Sequence, residues 1–210
     1  MKPVLRYRNN PILKPEDMPL DCFAVYNGGA VKVGDEYILM VRTEDMARRQ
    51  YAWVVRSKNG YDFVPDPKPV EFIAEDMAFY NEYAGESWFD PRINVVGGKY
   101  YITYAANGKH GCMVGIGQTE DFRTVKHISF PHHPQNRNGV LFPEKIDGKY
   151  VLLHRPEVNG EGSIWISYSQ DLVFWGNSKV VASRKTDLWN SIKIGAGAPP
   201  VKTPEGWLVI

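Results

Sequence analysis

The sequence has few cysteines and no long apolar run. Its 210 residues include two cysteines, Cys22 and Cys112, which are far apart and match no C-x-x-C pattern. Neither a disulfide framework nor a zinc motif is therefore indicated. No stretch approaches the roughly 20 apolar residues of a membrane span, and the charged N-terminal residues are followed by no apolar run. These absences predict a cytoplasmic location and no membrane partner.

The chain also lacks an excess of charge of either sign. Lys and Arg number 25 and Asp and Glu 24, giving a net charge of +1, which offers no electrostatic case for nucleic acid as a partner. The pair His132 and His133 could suggest a metal site. However, adjacent loop residues rarely ligate one ion together, and no carboxylate is suitably spaced from them. We therefore expect no metal and no organic cofactor.

A strand, turn and strand pattern recurs four times along the chain. The recurring stretches are residues 27–42, 90–104, 139–155 and 197–210, and each carries an aromatic residue just after its turn. The aromatics are Tyr37, Tyr100, Tyr150 and Trp207. They lie roughly 50 to 60 residues apart, an interval typical of a propeller blade with variable loops.

A second hairpin follows each of the first three. It covers residues 52–63, 111–122 and 163–174, so that two hairpins make a four-stranded unit. Such units predict an all-β fold, a β-propeller, with a β-sandwich as the alternative. The best helix candidate is residues 74–83. Because a propeller must close on itself, three units and one further hairpin lead us to expect that residues 1–210 form a single propeller domain whose C-terminal part is missing.

The stretch of residues 86–93 contains Asp90-Pro91-Arg92, where a loop turns into the strand of the second hairpin. Proline fixes its own φ and favours extended conformations for the residue before it. We therefore expect an extended Asp90 whose carboxylate is aimed by stiff backbone, as suits a catalytic acid. The alternative is a surface Asp-Pro turn with an exposed ion pair.

In a propeller, the inner strands of all blades converge on one channel. The polar residues that the repeat places at the ends of these strands, or in the loops entering them, are Asn27, Arg42, Asp90, Arg92, Arg137, Asn138, His154, Arg155 and Lys193. This is one acid among many bases. Because crowded cations repel one another unless an anion lies among them, the set predicts an anionic ligand.

Several motifs together resemble the β-mannoside phosphorylases of glycoside hydrolase family 130. They include Phe-Asp-Pro-Arg-Ile at 89–93, Asn-Arg-Asn-Gly-Val-Leu-Phe-Pro at 136–143, Leu-His-Arg-Pro at 153–156 and Ile-Lys-Ile-Gly-Ala-Gly-Ala-Pro-Pro at 192–200. The resemblance covers the chain from Asn10 on. It implies a five-bladed propeller that cleaves β-mannosides, such as β-1,4-mannosyl-glucose or β-mannooligosaccharides, with inorganic phosphate as co-substrate. The product would be α-mannose 1-phosphate, formed with inversion.

The resemblance also implies roles for individual residues. Asp90 stands where the family has its general acid, which is thought to act through the 3-hydroxyl of the mannosyl unit. Asn27 and Arg42 stand where the family contacts that unit. The expected substrate-binding residues also include Arg92, Asn138 and Tyr104, of which Tyr104 is an aromatic residue near the acid. The expected phosphate-binding residues are Arg137, His154, Arg155 and Lys193. Phe89 replaces a glutamate that many members carry, which bears on the subgroup.

Three functions compete at this point. An inverting glycosidase needs a second carboxylate as base, whereas phosphate is already a charged nucleophile and needs cations instead. A lone acid facing bases therefore favours phosphorolysis over a β-mannosidase or a non-catalytic carbohydrate-binding propeller. The acceptor sugar, whether glucose, mannose or N-acetylglucosamine, and a homo-oligomeric state are left open.

Overall fold

The computed structural model describes residues 5–85, 88–186 and 189–210. Residues 86 and 87, with which the acid-bearing stretch begins, lie outside the described residues. The regular secondary structure of the described residues is almost entirely β-strand, as predicted, and the strands form separate sheets that do not close on one another. The described part of the chain holds no helix with the length and apolar character that crossing a membrane requires.

The first sheet, which we call the first blade and whose successors we number in the same way, is four-stranded and antiparallel. Its strands, in sheet order, are β1 (Cys22–Val33), β2 (Glu36–Asp45), β3 (Gln50–Ser57) and β4 (Val64–Pro65). The β-branched and aliphatic residues of the two central strands are buried, among them Ile38, Met40 and Val54. Their burial against the second blade forms one continuous core.

The second blade contains the predicted helix and the Gly-Gly hairpin. Its elements are β5 (Glu71–Ile73), α1 (Met77–Ala84), β6 (Trp88–Val96), β7 (Lys99–Gly108), β8 (Gly111–Thr119) and β9 (Thr124–Ser129). The sheet order is β5-β9-β8-β7-β6, with β5 parallel to β9. Asp76 caps the helix by accepting from the Phe79 amide at 2.9 Å, and Gly97 and Gly98 take the positive φ angles of the turn.

The third blade and one further hairpin complete the described chain. Their strands are β10 (Asn136–Leu141), β11 (Tyr150–Val158), β12 (Glu161–Gly162), β13 (Ile164–Ser169) and β14 (Trp175–Ala182), then β15 (Val201–Thr203) paired with β16 (Gly206–Leu208). The blade order is β10-β11-β13-β14, and β12 pairs with the end of β11. The sheets of the described chain thus have four, five and five strands and are followed by a two-stranded hairpin, so the predicted four strands are exceeded by one, β5 or β12, in the second and third sheets.

The strands β1, β6 and β10 stand at the edges of their sheets; β1 packs on β6, and β6 packs on β10. Gly29 permits the first contact, since a Cβ there would lie 2.7 Å from the Cα of Arg92. The buried Asn94 side chain forms the second contact: its carbonyl accepts from the Leu141 amide at 2.8 Å, and its amide donates to the Tyr101 carbonyl at 3.1 Å. The three blades therefore converge along these strands, which is where the polar site is formed.

Candidate active site

Each inner strand breaks its pairing register at an asparagine or an aspartate. The residues are Asn27, Asp90 and Asn138, with φ of 49°, 54° and 54°, and each lies inside a register shift with the neighbouring strand. Asn and Asp tolerate this left-handed conformation better than other non-glycine residues, and bulges re-aim side chains. The expectation of an extended Asp90 is wrong, because the bulge imposes a positive φ despite Pro91.

The bulges bring the Asp90 carboxylate against two donors from the first blade. The Asn27 Nδ2 donates to Asp90 Oδ1 at 2.9 Å, and the Arg42 Nη1 lies 3.3 Å from the same oxygen. The Asp90 side chain is 23% exposed and can therefore be reached by a ligand. The guanidinium of Arg42 is itself fixed, with its centre 4.6 Å from the ring centroids of both Tyr26 and Phe89.

Arg92 and Asn138 extend this group towards the segment before β15. Arg92 Nη1 donates to the Asp90 carbonyl at 2.7 Å, and its Nε donates to the Gly197 carbonyl at 2.7 Å. Burial lowers the pKa of Arg92, nearby Arg155 adds to that effect, and Asp90 opposes it. Asn138 Nδ2 donates to the Ala196 carbonyl at 3.4 Å. Both side chains thus join the inner strands to residues 196–197.

Arginines from two adjacent strands of the third blade form the basic part of the site. Arg137 on β10 and Arg155 on β11 are direct pairing partners. The Arg155 chain passes over Gly162, where an added Cβ would lie 2.8 Å from its Cγ, and its Nη1 would be 3.1 Å from a Cβ on Gly195. Glycine at these two positions leaves the room that the guanidinium occupies.

Backbone pairing places Lys193 beside Arg155, at the end of β11. Gly162 lies opposite Glu157 in the β11–β12 pair and forms a parallel bridge to Lys193. The Gly162 amide donates to the Ile192 carbonyl at 3.1 Å, and the Ile194 amide donates to the Gly162 carbonyl at 3.0 Å. The segment carrying Lys193 is thereby held beside the end of β11.

A carboxylate that the sequence analysis missed lies among these cations. Glu157 accepts from Arg155 Nη2 at 2.6 Å and from Lys193 Nζ at 2.8 Å, and its Oε1 is 3.9 Å from Arg137 Nε. Burial would raise the pKa of Glu157, but these hydrogen bonds outweigh it and hold the pKa below its ordinary value. The expectation of a single acid among many bases is therefore wrong.

His154 and Tyr104 are not brought into the group. His154 is buried; its Nδ1 lies within hydrogen-bond distance of the Asn136 side chain, and its Nε2 is 2.8 Å from Ser167 Oγ. Burial lowers its pKa to about 3, so it is neutral, with both ring nitrogens occupied. Tyr104 is buried in the core between the first two blades, and its hydroxyl is 2.8 Å from His127 Nδ1.

His132 does not form a metal site with its neighbour His133. Its ring stacks on that of His154 at 3.9 Å between centroids, and its Nε2 is 3.0 Å from Ser167 Oγ. Within residues 5–85, 88–186 and 189–210, no three His, Cys, Asp or Glu side chains are grouped so that they could hold a metal ion. A cleft of about 1020 Å³ beside Phe79, Lys126 and Phe130 is lined by none of the residues around Asp90.

Fold and site together define a class: an all-β protein of successive sheets whose edge strands present an oriented carboxylate beside a group of basic side chains. The sequence model of glycoside hydrolase family 130, described as beta-1,4-mannooligosaccharide phosphorylase, matches residues 4–210. The chain belongs to this family.

Two curated relatives and one solved structure agree with this assignment. The chain is 32% identical to a beta-1,4-mannooligosaccharide phosphorylase of Ruminococcus albus, over 98% of this chain and 62% of the relative. It is 33% identical to a beta-1,2-mannobiose phosphorylase of Listeria innocua, over 76% and 44%. A beta-1,2-mannobiose phosphorylase from Listeria innocua, solved with beta-1,2-mannobiose, superimposes with a TM-score of 0.86 at 25% identity, over 98% of this chain and 73% of that one. The chain thus spans less than two thirds of the length of these two curated relatives.

Proposed function

We propose that this protein is an inverting β-mannoside phosphorylase. It transfers the mannosyl unit of a β-mannoside to inorganic phosphate and releases α-mannose 1-phosphate and the acceptor sugar. One observation carries the proposal: the Asp90 carboxylate is oriented by Asn27 and Arg42 from the neighbouring blade beside the basic side chains of Arg137, Arg155 and Lys193. The names of the relatives, all phosphorylases of β-mannosides, support the same reaction.

In the proposed reaction a phosphate oxygen attacks the anomeric carbon from the face opposite the leaving group. The glycosidic C–O bond breaks; Asp90 gives its proton to the 3-hydroxyl of the mannosyl unit, and that hydroxyl gives its own proton to the departing oxygen, so that the acceptor leaves as a neutral alcohol. Asp90 is the general acid. Asn27 and Arg42 orient its carboxylate and contact the mannosyl unit, and Arg92 and Asn138 complete the substrate-binding surface.

Phosphate is held by the cations of the third blade in this proposal. Guanidinium groups present paired donors to phosphate oxygens, and an ammonium supplies a point charge. The side chains of Arg137 and Lys193 are 38% and 39% exposed, and Arg155 donates to Glu157 through Nη2 alone, so the cations have donors left for an incoming anion. We assign His154 and Tyr104 no direct contact with phosphate or with the mannoside, because both side chains are buried away from the residues around Asp90.

Glu157 is the observation that favours hydrolysis as the second candidate. An inverting hydrolase needs a carboxylate base that activates water. A base works best with a pKa near the working pH, whereas the hydrogen bonds from Lys193 and Arg155 hold the pKa of Glu157 below its ordinary value. Glu157 is therefore a weak base, and phosphorolysis is the reaction we propose.

We further propose that the three blades and the hairpin β15–β16 belong to one five-bladed propeller domain. The edge strands of successive sheets pack on one another, β1 on β6 and β6 on β10, as the inner strands of neighbouring blades do. The hairpin β15–β16 then provides the opening strands of the fourth blade.

The test is the product formed by the intact protein from a panel of β-mannosides that includes β-1,4- and β-1,2-linked disaccharides. We expect mannose 1-phosphate to appear only when inorganic phosphate is present, at a rate that saturates with phosphate. Free mannose formed at the same rate without phosphate would establish the hydrolase instead. Absence of both products from the whole panel would contradict either enzyme.

A further inference from the structure

Glu157 has a position that the proposed reaction does not explain. It contributes a negative charge at the point where the proposed phosphate site needs positive charge. Its two carboxylate oxygens are hydrogen-bonded to Arg155 and Lys193, and one of them also lies 3.9 Å from Arg137 Nε. It thus contacts all three cations that we assign to phosphate, and only 10% of its side chain is exposed.

The three cations come from three separate pieces of chain. Arg137 is on β10, Arg155 is on β11, and Lys193 lies in the segment before the last hairpin. Arg92 adds a fourth positive charge near Arg155. Without an anion among them these groups would repel one another, because side chains within a few ångströms and partly removed from water are poorly screened.

We propose that Glu157 is an internal counter-anion of the phosphate site: it holds Arg155 and Lys193 together when phosphate is absent and competes with phosphate for them when it binds. The inference rests on the proposed function, since it assumes that the cations receive phosphate. It makes Glu157 a positioning residue that sets the affinity for phosphate. Glu157 takes no part in bond breaking.

Glu157 does not use every donor of the cations. Arg155 donates to it through Nη2 alone, and the Lys193 ammonium, which carries three protons, donates one of them to it. A dianion such as phosphate carries more negative charge than one carboxylate and can accept from several donors at once. Phosphate can therefore take over the cations while Glu157 keeps part of its contact, or displace Glu157 altogether.

The substitution Glu157→Gln tests the inference, because the amide keeps the shape of the side chain and removes its charge. We expect the intact variant to melt at a lower temperature than the parent in phosphate-free buffer and to gain more melting temperature when phosphate is added. Its KM for phosphate should fall by about three- to tenfold, as expected when a competing charge is removed next to a bound ion, while its KM for the mannoside changes much less.

The matched control is Glu161→Gln. Glu161 lies in the neighbouring strand β12 and forms an ion pair with Arg184. It touches none of the three cations, so the response of the Glu161→Gln variant to phosphate should equal that of the parent. If Glu157→Gln does not fold without phosphate, adding phosphate should restore folding in a concentration-dependent way, since the added ion replaces the lost charge.

The outcomes separate the inference from the proposed function. A parent protein that turns over with phosphate, together with a Glu157→Gln variant whose KM for phosphate is unchanged or raised, overturns the inference and leaves the function standing. A Glu157→Gln protein that stays unfolded at every phosphate concentration also overturns it. Failure of both proteins to respond to phosphate in melting or turnover would overturn the function and the inference together.

Discussion

At the scale of single residues, the side chain at position 90 must meet two separate requirements, one set by the backbone conformation and one by the chemistry of the reaction. The backbone at position 90 needs a residue that accepts a φ of 54°, and the chemistry needs a carboxylic acid. Asparagine meets the first requirement and fails the second, because it tolerates the left-handed region but cannot donate a carboxyl proton. The two requirements can therefore be tested separately by substitution.

We expect Asp90→Asn in the intact enzyme to keep its melting temperature within a few degrees and to lose at least ~100-fold in kcat on a natural disaccharide, the typical contribution of a general acid. A mannoside with a dinitrophenol leaving group needs little protonation and should lose much less, provided that the site admits it. Steady-state kinetics on both substrates check this. Equal losses on both would show that Asp90 supplies no proton in the step measured.

At the scale of the elements, the close contact between β1 and β6 depends on a missing side chain. A Cβ at Gly29 would lie 2.7 Å from the Cα of Arg92 and 2.7 Å from the amide nitrogen of Ile93. Both atoms belong to the backbone and cannot move aside as the end of a flexible side chain can. An added methyl group must therefore push β1 away from β6, and with it Asn27 away from Asp90.

We expect Gly29→Ala to cost about 1–3 kcal/mol, as overpacking does, and to reduce kcat because the hydrogen bond from Asn27 to Asp90 is lost. Gly176→Ala is the matched control: nothing lies within 4 Å of its added Cβ, so stability should change by less than about 0.5 kcal/mol. Urea unfolding of the parent and the two variants measures both changes in stability, and steady-state kinetics measures kcat. Equal stability of the two variants would contradict the proposed tight contact.

The elements also show where prediction from sequence succeeded and where it stopped. Turn glycines and alternating apolar residues were enough to predict the hairpins, since these are local signals. The bulge at Asp90 could not be predicted, because it appears only when β6 is paired with β7, and the local preference before Pro91 points the other way. The other contacts between blades at the site could not be predicted for a similar reason, because they form only when the sheets pack together.

Two other misses could have been avoided. Successive side chains of a strand point to opposite faces, so residues 155 and 157 share one face of β11 and residue 154 lies on the other. Applied to Leu-His-Arg-Pro-Glu, this rule separates His154 from Arg155 and places Glu157 beside Arg155. The contacts made by Tyr104, in contrast, depend on packing between the first two blades and have no such local signal.

At the scale of the whole molecule, stability depends on histidines that are buried in the neutral form. Burial lowers the pKa of His127 and of His132 to about 4 and that of His154 to about 3, against about 6.5 in an unfolded chain. Below pH 6.5 the unfolded chain binds protons that the folded chain does not. This part of the stability is therefore complete above about pH 6.5 and is lost as the pH falls towards 4 and below.

We expect the free energy of unfolding to fall steadily between pH 6.5 and 4.5, by about 1.4 kcal/mol per pH unit for each such histidine. His154→Asn should remove one histidine's share of this slope, even if the variant is less stable at pH 7. Urea unfolding at several pH values measures the slope. An unaltered slope in the His154 variant would show that this residue is not held neutral.

The bulges of the inner strands have a consequence for redesign of the site. Asn27, Asp90 and Asn138 occupy equivalent places in three copies of one structural unit, and all three have nearly the same φ. Asparagine and aspartate differ only in an amide nitrogen exchanged for an oxygen. The fold therefore holds three backbone positions already shaped for an acid, and a single exchange of asparagine for aspartate at position 27 or 138 would place a second carboxylate there without altering the backbone that carries it.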